Sequence, residues 1–185
     1  PIHFMDLSNL PATIFYKKGK LKNYVQSREH NACIIRIHVD IIGKKKEKWY
    51  LLFKNETHNH PTEIDPFGGA STCIGGAIRD PLSGRAFVYQ GLRLSGAADP
   101  TNSKTINGKL PQHKICFESA HGYSSYGNQV GLATTHVNEI YHEGYRAKRM
   151  EVGMVIGAVP VHFLKQREPK KGDVILLIGG FTGKE

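Results

Sequence analysis

A chain of 185 residues with 39% hydrophobic and 22% charged residues is long enough to bury one core of ordinary size, which excludes a purely disordered or fibrous protein. No run approaches the roughly 20 apolar residues a bilayer crossing needs, so a membrane is not an expected partner. A net charge of +9 favours anionic partners, yet the basic clusters at Lys17–Lys22, Lys44–Lys48 and Lys165–Lys171 lie at turn signals without any recognised reader motif, and nucleic acid is not expected either.

The opening Pro1-Ile2-His3-Phe4-Met5-Asp6 lacks the charged and apolar regions of a signal peptide. A cytoplasmic protein is expected, and the start at Pro1 points to a piece of a longer parent. Cys33, Cys73 and Cys116 are odd in number, widely spaced and outside any Cys-x-x-Cys pairing, which suggests reduced, mostly buried thiols in place of a disulfide framework or zinc knuckle.

The clearest element comes first. From Ala32 to Ile42, Ile35, Ile37, Val39 and Ile41 alternate with Arg36, His38 and Asp40, the period-two pattern of a half-buried strand. Gly43 and the following lysines predict a turn, and Trp49 to Phe53 a returning strand, so the pair reads as a hairpin with Lys54 at its end. Asn55 to Gly69 is crowded with Asn, Thr, Pro, Asp and Gly and reads as an irregular loop. Ala70 to Asp80 predicts a helix stopped by Pro81, and Ala86 to Leu94 a strand. Gly96 to His113 is a long polar connection of the kind that is more often functional than incidental. Ile115 to Val130 is ambiguous, a helix weakened by Gly122 and Gly127. Thr135 to Tyr141, Glu151 to Val159 and Asp173 to Ile178 read as further strands. Strands with few helices make the chain α+β.

The chemistry concentrates in Glu56-Thr57-His58-Asn59-His60-Pro61, where a carboxylate and two imidazoles at alternate positions would share one face of an extended segment. Three readings compete. The imidazoles could simply hydrogen-bond their own loop. His-x-His with a third ligand from Asp65 or Cys73 could hold the zinc of a hydrolase, although the best-known peptidase pattern of this kind requires Ser and Asp where Gly68 and Ser71 stand. Magnesium with a nucleotide is the third reading: isolated carboxylates such as Glu56 and Asp80 suit a hard cation that keeps waters and substrate phosphates, Lys54 supplies a point charge for phosphate, Arg79 a fork for an anionic substrate, and a His a general base. Gly68-Gly69-Ala70-Ser71-Thr72 before the expected helix would let backbone N–H groups approach a phosphate. Gly75-Gly76 fits close packing instead.

Phe53-Lys54-Asn55-Glu56-Thr57-His58-Asn59-His60-Pro61-Thr62, with Pro66-Phe67-Gly68-Gly69-Ala70 and Gly75-Gly76-Ala77-Ile78-Arg79-Asp80, resembles the signature of the phosphoribosylformylglycinamidine synthases. The resemblance extends through Gly91 to Pro100, Gly122 to Asn128 and Tyr145 to Gly153 into Gly172 to Gly183. It implies a mixed sheet with helices on one face, the N-terminal half-domain of the aminoimidazole ribonucleotide synthetase-like fold over 1–178, with 179–185 beginning the next half-domain. It implies that Lys54 contacts ATP, that Glu56 and Asp80 bind Mg²⁺, that Thr57, Asn59, His60 and Arg79 contact the ribonucleotide, and that His58 is the catalytic base. The implied reaction converts formylglycinamide ribonucleotide, ATP and glutamine-derived ammonia to the amidine, ADP and phosphate, the amide oxygen being activated by phosphorylation before ammonia displaces phosphate.

Two features of the family do not appear. The upstream motif with a further functional His and a nucleotide-contacting Tyr is absent, and His30 sits in an unrelated context. No glutaminase elbow exists, since Cys73 has Ser71 where its first Gly should be; ammonia would come from a glutaminase domain or subunit. A conventional P-loop is also excluded, with Glu185 and Ile178 replacing required residues. The chain alone is expected to lack synthase activity, and its sheet to pair with a second copy or a following half-domain.

Overall fold

The computed structural model describes residues 2–25, 31–164 and 169–180. In chain order the elements are α1 (Phe4–Lys17), β1 (Cys33–Val39), β2 (Glu47–Thr57), α2 (Asn59–Ile64), α3 (Pro66–Ser83), β3 (Phe87–Ala97), α4 (Gln112–Val130), β4 (Thr134–Tyr141) and β5 (Met150–Pro160). The strands form one mixed sheet in the order β1-β2-β5-β3-β4, in which only the β3–β4 pair is parallel. The α+β class and the sheet with α3 and α4 on one face agree with expectation.

Alternation sets which face each residue takes. Along β5, Glu151, Gly153, Val155, Gly157 and Val159 are buried while Met150, Val152, Met154, Ile156 and Ala158 are half-buried. Antiparallel pairing carries this parity across to β2, where Leu52, Lys54 and Glu56 sit opposite Gly157, Val155 and Gly153. The buried face packs against α3 through Ala70, Ile74, Ala77 and Ile78, joined by Tyr123 of α4 and Leu132. A second cluster of Ile34, Leu52, Ala86 and Val159 closes the hairpin end.

Helix α3 and helix α4 approach each other at glycines. A Cβ on Gly122 would lie 2.1 Å from the Phe67 carbonyl oxygen, and one on Gly75 would lie 2.9 Å from the Tyr126 ring. Ser71 Oγ donates to the Gly122 carbonyl at 2.7 Å across the same interface. Gly122, one of the two glycines that weaken the α4 reading in sequence, is therefore one that its packing requires.

Several expectations are corrected. Asn55–Gly69 is no irregular loop: β2 runs to Thr57, α2 follows, and α3 begins at Pro66, a residue whose fixed φ suits the first helical turn. Lys54 lies inside β2 and not at its end. Pro81 does not stop α3, which continues to Ser83 with the proline ring buried. Asp173–Ile178 forms no strand and is exposed, Ile175 at 94% and Leu177 at 97%; a run apolar on both sides needs cover from both sides, and no described strand pairs with it. Helix α1 was not foreseen. It is capped by Asp6, whose carboxylate accepts from the His3 N–H at 2.9 Å, and it buries no residue. Cys33 is exposed, against the buried thiol expected. Among the described residues no helix is long and apolar enough to cross a membrane. His30 and residues 181–185 of the excluded P-loop lie outside the described residues.

Candidate functional site

The site is assembled where β2, α2, α3 and the start of β5 meet. Lys54 and Glu56 share the helix-facing side of β2, and the length of α3 brings Asp80 down beside them. Lys54 Nζ lies 2.6 Å from Asp80 Oδ2 and 3.3 Å from Glu56 Oε2. The ammonium is held above its ordinary range chiefly by the Asp80 hydrogen bond, against the opposing pull of partial burial. A Cβ on Gly76 would lie 3.9 Å from both an Arg79 guanidinium nitrogen and Glu56 Cγ, so the small residue leaves room where these two groups border one another.

The two imidazoles are not alternate residues of one extended segment. The strand ends at Thr57, half-buried His58 is the N-cap residue of α2, and His60 lies inside that helix. The extended arrangement read from the sequence fails at His60, because α2 begins at Asn59, whereas His58 N–H still donates to the Glu151 carbonyl of β5 at 2.9 Å. Thr57 is exposed and, by alternation, on the opposite face from Lys54 and Glu56. The Asn59 side-chain oxygen accepts from the Glu151 N–H at 2.7 Å. His60 Nδ1 lies 2.6 Å from Lys148 Nζ, so with a charged lysine the proton of a neutral His60 ring resides on Nε2.

Glycines 68 and 69 do not form an anion cradle. Asp65 caps α3 by accepting from the Gly68 N–H at 3.1 Å, and Gly69 donates to the Asp65 carbonyl. A Cβ at Gly69 would fall 2.4 Å from the Thr62 backbone nitrogen, so the missing side chain allows α2 and α3 to touch. Cys73 is buried, with Sγ 3.6 Å from the Glu56 carbonyl; burial pushes its thiol up to about 12, which keeps it a protonated core residue.

Beside this corner lies a buried ionic network that sequence reading missed. Glu151, fully buried, accepts from Arg93 Nε at 2.7 Å and Nη2 at 3.1 Å, and from Arg149 Nε at 3.0 Å and Nη2 at 2.7 Å. Both guanidinium groups also donate to Ser119 of α4, and Arg93 reaches Glu139 on β4. Glu63 of α2 accepts from the Arg149 N–H at 2.9 Å and pairs with Lys109. Burial would raise the Glu63 carboxyl, but the Lys109 and Arg149 hydrogen bonds outweigh it and the group ends below its ordinary value. The only sequence hint was one charge flanked by apolar residues in each of two strands, Leu92-Arg93-Leu94 and Met150-Glu151-Val152.

Two carboxylates converging on one cation fit Mg²⁺, whose remaining ligands are usually water and phosphate. Among the described residues no group of three His, Cys, Asp or Glu is arranged to hold a metal, which removes the geometric basis of the zinc reading.

Comparison with known proteins agrees over most of the length. The chain is 30% identical over 174 residues to phosphoribosylformylglycinamidine synthase subunit PurL of Picrophilus torridus, covering 92% of this chain and 23% of that protein. It is 35% identical over 143 residues to the same subunit of Methanobrevibacter smithii, covering 75% of this chain and 19% of the relative. The chain is a homologue of one segment of phosphoribosylformylglycinamidine synthase. It spans about a fifth to a quarter of the length of these curated synthase subunits. Among solved structures it superposes on Thermotoga maritima PurL complexed with ADP at a TM-score of 0.58 and 22% identity, over 84% of this chain and 23% of that one. It also superposes on Aquifex aeolicus thiamine monophosphate kinase complexed with AMPPCP and TMP at 0.55 and 10% identity, over 86% of this chain and 45% of that one. These likenesses establish the aminoimidazole ribonucleotide synthetase-like fold. No protein-family model matches the chain.

Proposed function

We propose that this chain is the N-terminal synthetase-like half-domain (1–178) of a cytoplasmic, ATP-dependent C–N ligase. In this reading the enzyme makes formylglycinamidine ribonucleotide, and this chain holds one half of its nucleotide and magnesium site. The observation that supports it most is the convergence of Lys54, Glu56 and Asp80 within the segment that resembles the synthase signature. The relatives are synthase subunits, and the T. maritima structures include complexes with ATP and with FGAR.

Glu56 and Asp80 would hold Mg²⁺, and Lys54 would pair with a phosphate oxygen of ATP. Magnesium would supply charge neutralisation on the phosphates as the amide oxygen is phosphorylated. Arg79 would bind the anionic ribonucleotide, with His60 and Thr57 as the further contacts the resemblance implies, though Thr57 requires a substrate that reaches the opposite face of the sheet. His58, at the corner two residues beyond Glu56, would accept the proton released as ammonia adds. Ammonia would come from a separate glutaminase domain or subunit. The remaining contacts would come from a following half-domain beginning at 179.

A protein of the relatives' full length carrying this segment should form the amidine from formylglycinamide ribonucleotide, ATP and ammonia. Lys54→Met and His58→Ala should each lower kcat by about 100-fold or more, the scale of losing one electrostatic or general-base contribution. Activity retained in both variants would sink the assignment. The isolated 185 residues should show none.

A second reading, a self-associating module, is favoured by the outer face of the sheet, where Ile35, Leu51, Phe53, Met154 and Ile156 remain half-buried or exposed. It is compatible with the first, since a homodimer or an intramolecular pseudo-dimer would cover the same face.

A further inference from the structure

Four contacts join the His58–Glu63 corner to the entry of β5. His58 N–H donates to the Glu151 carbonyl at 2.9 Å, and Glu151 N–H donates to Asn59 Oδ1 at 2.7 Å. Arg149 N–H donates to Glu63 Oε2 at 2.9 Å, and Lys148 Nζ lies 2.6 Å from His60 Nδ1.

The second contact has a specific cause. The β2–β5 ladder ends at the pair Thr57 and Val152, after which the chain turns into α2. The next β5 residue along the ladder is Glu151. Its N–H is part-buried beside a carboxylate wholly removed from water, and a buried N–H without an acceptor costs free energy comparable to a lost hydrogen bond. Asn is a residue whose side-chain carbonyl can stand in for a backbone acceptor. Here it supplies the oxygen that β2 no longer provides.

We propose that Asn59 is a positioning residue: its side-chain carbonyl continues the strand ladder onto Glu151 N–H and so fixes the backbone that carries His58, in place of contacting the ribonucleotide. The network around Glu151 supports this arrangement, because its carboxylate is locked between Arg93 and Arg149 and its backbone is therefore a rigid anchor. The catalytic consequence rests on the proposed synthase function, whereas the anchoring does not.

Two substitutions separate the roles. Asn59→Asp keeps an oxygen that can accept from Glu151 N–H but removes the side-chain donor, and Asn59→Leu removes both. In the 185-residue chain, amide hydrogen exchange at Glu151 should accelerate about tenfold in Asn59→Leu, the factor expected for one lost hydrogen bond. In Asn59→Asp it should stay within about threefold of the parent. The His58 ring proton resonances should move in the leucine variant alone. In the full-length protein, Asn59→Leu should lower kcat with little change in KM for the ribonucleotide, and Asn59→Asp should retain most of kcat. Equal rises in KM for both variants, or a Glu151 amide indifferent to Asn59→Leu, would overturn the proposal. Should the leucine variant not fold, Asn59→Asp decides: a protected Glu151 amide with unraised KM upholds the role, and a raised KM refutes it. If the parent protein forms no amidine, the synthase reading falls while the exchange and resonance measurements still decide the anchoring.

Discussion

The two faces of the sheet are built from alternate residues of the same strands, yet they solve opposite problems. The inner face is covered by α3 and α4 and carries Lys54, Glu56, Arg93 and Glu151 among its apolar residues. The outer face is mostly apolar: Ile35 beside Leu51, Cys33 beside Phe53, Phe53 beside Ile156, Leu92 beside Met154. These side chains remain half-buried or exposed. Charge appears on the covered face because there each group finds a partner, and an unpaired ion removed from water would be prohibitively costly. The uncovered face has the composition of a core without its second layer. The paired charges and the uncovered apolar surface are thus divided by strand parity.

The sharpest way to break this division is to remove the charge on which the inner face depends. Glu151→Leu leaves two buried guanidinium groups without their carboxylate, and denaturant unfolding should show a loss of about 3–5 kcal/mol. A double replacement that also removes Arg93 should recover part of that loss, and additive losses would show that the pairing is not the cause. Next in size is the helix layer. Gly122→Ala must push α4 off Phe67, with the added carbon starting 2.1 Å from a backbone oxygen, and about 1–3 kcal/mol should be lost; an unchanged midpoint would mean the helices are not in the contact described.

A smaller effect is tied to pH. The Glu63 carboxyl lies below its ordinary value of 4.5 because its hydrogen bonds from Lys109 and Arg149 outweigh burial. Its stabilisation is therefore fully present above the unfolded-state value and is lost as pH falls through the lowered folded-state value. Glu63→Gln should cost about 1 kcal/mol at neutral pH and flatten the acid limb of the stability curve below about pH 4.5. A variant whose acid limb matches the parent would refute the assignment. The least effect on folding is expected on the outer face. Phe53→Lys should change monomer stability by roughly 0.2–1 kcal/mol, the scale of one cross-strand pair, yet abolish any concentration-dependent association seen by sedimentation. Persistence of that association would place the partner surface elsewhere, with the exposed Asp173–Ile178 run the next region to alter.

Local pattern explains how much could be read beforehand. All five strands were legible because alternation and β-branched content are properties of neighbouring residues, and the structure extends most of them by only a few positions. The region around the site was misread because Asn, Pro and Gly usually mark loops, whereas here Asp65 is a helix cap, Pro66 a first-turn residue and Gly69 a contact point between α2 and α3. Helix α1 carries Phe4, Leu7, Leu10, Ile14 and Phe15 at helical spacing, but Pro11 inside it interrupts the sequence signal of a helix. The Asp173–Ile178 run has strand composition, but a strand also needs an available edge and cover.

The amino-acid sequence by itself determined the α+β class, the presence of the five strands and the motif whose groups suit magnesium, phosphate and an anionic substrate. Each of these depends on residues close together in the chain or on their chemical type. Only the tertiary structure decided that Asp80, 24 residues beyond Glu56, meets it across Lys54, that His60 leaves the strand for α2, and that Asn59 answers to Glu151. Those outcomes depend on where α3 lands on the sheet and where β2 leaves β5, and close packing between distant segments sets both.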